Sequence, residues 1–143
     1  MAAVQNVVSF FKTLGPHLVS GAALNNAIGQ GSLNAQDTIT ALAGGGAAGA
    51  PNLALGINRA SVVASAADSV MLPPSLASNI VIFQNSGANA CQVFANTVSS
   101  LPAGTLDTIN GTAGATGVAV GAGKMAIFCC YTTGAWVGPV ALA

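Results

Sequence analysis

The run from Asp68 to Phe94, DSVMLPPSLASNIVIFQNSGANACQVF, decides the fold class. Ser69 to Leu72 reads as a short strand that stops at Pro73-Pro74, because proline has no N–H to give to a ladder. Ile80 to Phe83 is apolar at successive positions, the pattern of a strand covered on both faces. Asn85-Ser86-Gly87-Ala88-Asn89 then supplies residues that accept positive φ or bond their own backbone, so it reads as a tight turn. A further strand spans Cys91 to Ala95.

The same grammar continues on both sides. Upstream, Leu55 to Arg59 leads into an extended segment, Ala60 to Ala64. Downstream, Asp107-Thr108-Ile109-Asn110-Gly111 carries an Asn-Gly turn, and Gly117 to Val120 reads as a strand. Gly121 to Lys124 turns the chain into Met125 to Tyr131, and Thr132-Thr133-Gly134 turns it again into Ala135 to Val137, a closing hairpin. Short strands separated by Gly-rich turns every ~8–12 residues predict a mainly β domain over residues 51–143, an antiparallel β-sandwich or jelly-roll-like fold.

Residues 1–50 read as an N-terminal arm with short helices and a Gly-rich linker. Val4, Val7, Val8 and Phe11 stand at i, i+3, i+4 and i+7, with Phe10 and Leu14 widening the stripe. This is the amphipathic helix pattern, stopped by Gly15 and Pro16. A helix of about three turns is marginal alone, so the stripe is expected to dock on its own domain or on a neighbouring subunit. Ser20 precedes a second short segment, Ala22 to Ile28. Asn34 to Ala43 suits a helix start at Asn34 and Asp37 but a strand at Thr38-Ile39-Thr40, and the Gly-rich loop after it favours the strand. Gly44 to Pro51 lacks the Gly-Lys-Ser/Thr ending of a phosphate loop and reads as a flexible link.

Charged residues make up 4% of the chain and the formal net charge is zero, against roughly 25% in average chains. Lys12, Arg59 and Lys124 are too few and too scattered for a nucleic-acid track or an electrostatic membrane anchor. No run of eighteen apolar residues suggests a transmembrane helix, and Lys12 follows the first apolar residues instead of preceding them as a secretory leader would have it. With so little charge to wet it, much of the surface is expected to be covered by copies of the chain or by a larger assembly.

Catalytic chemistry has little to work with. Asp37, Asp68 and Asp107 are far apart in sequence and glutamate is absent, so a general acid–base pair is not expected. His17 is the only base available to a cysteine nucleophile and lies outside the strand domain. Cys91, Cys129 and Cys130 have no metal-ligand spacing. Neighbours on a strand face opposite ways, so Cys129 and Cys130 neither clasp one ion nor pair readily. They read as core residues in a reducing compartment, with an inter-chain disulfide as the alternative. The chain is therefore expected to be no enzyme, with no cofactor, metal or small-molecule substrate. Arg59 and Asp68, ten residues apart in a charge-poor chain, are candidates for a bridge at a turn or subunit contact, with a solvated Arg59 as the alternative. Trp136 and Tyr131 suit either a core or interface position or stacking on a sugar.

Read in order, Gly-Ile-Asn-Arg (56–59), Ala-Asp-Ser-Val-x-Leu-Pro (67–73), Ile-Val-Ile-Phe-Gln-Asn-Ser-Gly-Ala-Asn (80–89), Gln-Val-Phe-Ala (92–95), Asp-Thr-Ile-Asn-Gly (107–111), Gly-Ala-Gly-Lys-x-Ala-Ile-Phe (121–128) and Gly-Ala-Trp (134–136) resemble the β-domain of small tailed-bacteriophage virion proteins, particularly capsid decoration (cement) proteins. The resemblance spans about residues 53–138. It implies a structural protein made in the host cytoplasm and seated on the virion's outer head shell. Such a protein is commonly a homotrimer that bridges major capsid protein subunits. On that reading Val7, Phe10, Phe11 and Leu14 are buried in the arm's contact, and Ile80, Ile82, Phe94, Phe128 and Trp136 in the sandwich. Arg59, Asp68 and Trp136 complete the set of expected interface residues. The alternative is a phage tail or fibre module that binds host-surface glycan, with a ring-forming tail or neck component as a third reading.

Overall fold

The structure, a computed structural model, describes residues 34–97, 106–113 and 116–141. Val7, Phe10, Phe11, Leu14 and His17 lie outside them. The described residues form ten strands: β1 Asn34–Thr40, β2 Gly56–Val62, β3 Ser69–Met71, β4 Ile80–Asn85, β5 Cys91–Phe94, β6 Thr108–Ile109, β7 Thr112–Ala113, β8 Val118–Val120, β9 Met125–Thr132 and β10 Ala135–Ala141. They make a seven-stranded sheet in the order β1-β2-β4-β9-β10-β6-β7 and a three-stranded sheet in the order β3-β5-β8.

The mainly β expectation holds, but the strands are not uniformly antiparallel. β1 with β2, β2 with β4, β3 with β5 and β10 with β6 run parallel. The reason is a coil. Parallel neighbours cannot be joined by a hairpin, and here the return path runs through the other sheet. β2 in the large sheet leads to β3 in the small one, then to β4 beside β2 and to β5 beside β3. One turn of the coil carries Gly56 to Val81 and Ser69 to Gln92. The preceding turn carries Asn34 to Gly56, with Asn52 bridging in parallel to Met71. The chain then reverses: β8 lies antiparallel on β5, β9 antiparallel on β4, and β10 closes the predicted hairpin on β9.

Local residue choices explain the path. The Asn85 side chain organises its turn, donating to the carbonyls of Asn89 (2.7 Å) and Val120 (2.9 Å) and accepting from the Gly87 N–H (3.0 Å). A Cβ on Gly87 would come within 2.6 Å of Val63 Cβ, so glycine is required there. Asn110 and Gly111, at φ 52° and 78°, make the two-residue turn between β6 and β7 that Asn-Gly favours.

One apolar cluster joins the two sheets. It contains Ile39, Ala60, Val81, Phe83, Phe128, Cys130 and Trp136 from the large sheet and Val70, Cys91, Val93 and Val120 from the small one. Phe94 is buried as well. Ile80 and Ile82 are not part of this core. Val81 and Phe83 alternate with them and take the inward positions, which leaves Ile80 46% exposed and Ile82 half-buried on the opposite face.

β1 is the expected strand, but it belongs to the large sheet, so the β unit takes in Asn34–Thr40 and is not confined to residues 51–143. Nor is Gly44 to Pro51 a free link. The Gly44 N–H donates to Asp68 Oδ1 (3.3 Å), Ser69 Oγ donates to the Gly46 carbonyl (2.7 Å), and the Met71 N–H donates to the Pro51 carbonyl (3.0 Å). Glycine serves positive φ at 44, 45, 46 and 49, the usual reason for it in a turn.

Candidate functional site

Strand alternation turns one set of side chains of the large sheet into the core and the other set outward. The outward set is Ala35 and Asp37 on β1, Ile57, Arg59 and Ser61 on β2, Ile80, Ile82 and Gln84 on β4, Met125, Ile127, Cys129 and Tyr131 on β9, and Ala135, Val137 and Pro139 on β10. Register aligns them into rows: Ile57 stands beside Ile82 and Ile82 beside Ile127, while Ile80 stands beside Cys129 and Cys129 beside Val137. Ile57, Ile80, Met125 and Val137 are each between 42% and 46% exposed, and Tyr131 is 76% exposed. A solvent-facing sheet normally presents polar residues here. This one presents a band of isoleucine, valine and methionine.

The band carries a single ion pair. Arg59 Nε lies 2.6 Å from Asp37 Oδ1 and Arg59 Nη2 lies 2.7 Å from Asp37 Oδ2, a two-pronged contact. The Arg59 guanidinium, helped by the Thr38 N–H, holds the Asp37 carboxyl below its ordinary range, so both groups stay charged and cancel. Thr38 sits at φ 60° where the β1–β2 register shifts, which frees Asp37 to reach across.

Arg59 therefore pairs with Asp37 and not with Asp68. Asp68 is buried at a different corner and binds backbone. It accepts from the Ala64 N–H (2.7 Å), the Ser65 N–H (3.0 Å), the Ser65 hydroxyl (2.6 Å) and the Gly44 N–H. The Ser65 hydroxyl is the main reason its carboxyl is held below the ordinary value, with these backbone donors adding to it. Sequence separation favoured Asp68 as the partner. The parallel β1–β2 pairing, which brings Asp37 alongside Arg59, was not visible in it.

Trp136 is fully buried, paired in register with Ile109 and Cys130, so it offers no face to a sugar or a partner. Tyr131 is the exposed aromatic. It borders a shallow depression of about 380 Å³ lined also by Ser78, Asn79, Ile80, Cys129 and Cys130. Cys129 and Cys130 face opposite ways as expected, half-buried and buried respectively, and the three cysteines are unpaired. Burial, with the Asp68 carboxylate adding to it, pushes the Cys91 thiol up to about 12, and burial raises Cys130 too. Asp107 is buried and accepts from the Ser75 N–H (2.7 Å), while Ser75 Oγ accepts from the Gly134 N–H (2.6 Å), tying three loops together.

Among the described residues, no group of three or more His, Cys, Asp or Glu side chains is placed to hold a metal ion. No helix among them is long and apolar enough to cross a membrane. Comparison with protein families, curated proteins and solved structures finds no match to this chain.

Ile80 to Phe83 reads in the sequence as covered on both faces, but the same signal was not carried over to β9, so the outward band as a whole was missed. β4 (IVIFQN) and β9 (MAIFCCYT) lack the polar alternation of a half-exposed strand. Ile80, Ile82, Met125 and Ile127 are apolar on the outward side as Val81, Phe83, Ala126 and Phe128 are on the inward side, where a strand with one wet face carries polar residues.

Proposed function

We propose that this chain is a structural virion protein, a capsid decoration (cement) protein that sits on the outer head shell of a tailed bacteriophage and stabilises it by bridging major capsid subunits. The observation that carries the reading is the outward face of the large sheet, where the rows Ile57-Ile82-Ile127 and Ile80-Cys129-Val137 are apolar and the charges of Asp37 and Arg59 are paired with each other. Exposed apolar surface on this scale marks a site of assembly, and the resemblance of residues 53–138 names the kind of assembly. The jelly-roll-like sandwich of that family is the finer fold reading. Two sheets around one core support it, while the parallel coil departs from it. On this reading the protein is a homotrimer, catalyses nothing, takes no cofactor, and has the major capsid protein as its partner.

A glycan-binding tail or fibre module is the second reading, favoured by the exposure of Tyr131 beside a depression that contains polar Ser78 and Asn79. One experiment separates the two. The purified protein is sedimented with empty heads and, in parallel, with host-surface polysaccharide. A cement protein follows the heads saturably and ignores the polysaccharide. A glycan module does the opposite and loses the binding in Tyr131→Ala.

A further inference from the structure

We infer that the outward face of the large sheet is where copies of this chain meet one another, with the same face of each copy turned toward a shared axis. The inference rests on the assembly reading above and names the partner at that surface.

Three observations select a second copy over the shell. The first is charge. The only ionic groups on the band, Asp37 and Arg59, are closed on each other within one chain. The face thus meets its own copy without repulsion, and it offers no charge pattern with which to select a different protein. The second is composition. Obligate homo-oligomer contacts are the apolar ones, resembling a core cut in half, whereas contacts formed and broken by separately folded partners are more polar. A band of Ile57, Ile80, Ile82, Met125, Ile127 and Val137 belongs to the first kind. A face like this left open in a free subunit is an aggregation site. A copy of the same chain is available from synthesis onward. The third is size. Five adjacent strands, β1, β2, β4, β9 and β10, span about 19 Å, and the eight residues of β9 span about 26 Å. The resulting face of about 500 Å² before side-chain relief is counted, polar at the edge that carries Asp37, Arg59, Ser61 and Gln84, gives about 1,000 Å² when two copies meet, the least a specific interface needs. The polar turns at the ends of the strands remain free for the shell.

The test is sedimentation equilibrium of the full chain against Ile57→Lys, Val137→Lys and their double variant. Both positions are more than 40% exposed, so a lysine reaches water in an isolated subunit and the fold survives, as circular dichroism would verify. Ala88→Lys, in the exposed turn after β4, is the control for added charge. The wild type and Ala88→Lys are expected to be oligomers. Each face variant should weaken association by ~100-fold or more, since like charges would be forced together, and the double variant should be a folded monomer. Cys129 gives a reading that needs no substitution. It is half-buried on the face, so its alkylation in the wild type should be slow when the protein is concentrated and fast on dilution through dissociation. If the face variants remain as oligomeric as Ala88→Lys, or Cys129 reacts at one rate throughout, the face is wrong although the assembly reading stands. A wild type that is monomeric at every concentration overturns the inference, and if it still binds heads, the shell-binding part of the reading survives.

Discussion

Trp136 and Asp68 show how a residue's neighbours, more than its type, settle what it does. An aromatic near a hairpin end suits a core, an interface or a sugar, and only the register of β10 between β9 and β6 sends Trp136 inward. Truncating a fully buried tryptophan leaves a large cavity, so Trp136→Ala should cost about 3–5 kcal/mol in urea unfolding. A variant of unchanged stability would remove Trp136 from the core. Asp68 works through its acceptor oxygens: the loops at Gly44 and at Ala64-Ser65 converge on one carboxylate. Its folded pKa lies below the ordinary 3.8, so the unfolded chain binds the proton more readily. The stabilisation is therefore fully present above about pH 4 and is lost as pH falls through the folded value. Asp68→Asn should lower the Tm at pH 7 and flatten its fall below pH 4. Identical acid limbs for wild type and variant would contradict that role.

Among the elements, β4 and the turn after it form the hinge of the architecture, because β4 is where the parallel coil meets the antiparallel return. Gly87 is the tight point of that turn. Alanine there would press on both the side chain and the backbone N of Val63, and overpacking of this kind costs about 1–3 kcal/mol. Gly87→Ala is expected to lose that much in chemical denaturation, while Ala88→Gly, in the exposed neighbouring position, loses little. An equal loss at both positions would assign the effect to turn flexibility instead of the Val63 contact. The strands, the Asn-Gly turn and the closing hairpin were legible in the sequence because each rests on period-two burial and on turn chemistry, which are local. The sheet order was not. A strand's local pattern is the same whether its neighbour is parallel or antiparallel, and the coil depends on pairs such as Ser69 with Gln92. For the same reason the Asp37–Arg59 pair was hidden, and Gly44 to Pro51 passed for a linker until Asp68 supplied its anchor.

At the scale of the whole molecule, a chain with 4% charged residues turns one set of apolar side chains of its large sheet into a shared core and another set outward as a band across that sheet. The inward set builds the subunit. On the inference above, the outward set is an unfinished core, completed when copies of the subunit meet. The proposed shell-stabilising trimer would account for that band and for the charge poverty together. The most direct test is co-sedimentation of the purified protein with empty, undecorated heads assembled from the cognate major capsid protein, with the mass of the free protein measured by light scattering beforehand. The account predicts a free homotrimer that binds heads to saturation and raises the temperature at which they break. A monomer that stays in the supernatant and leaves head stability unchanged would contradict it.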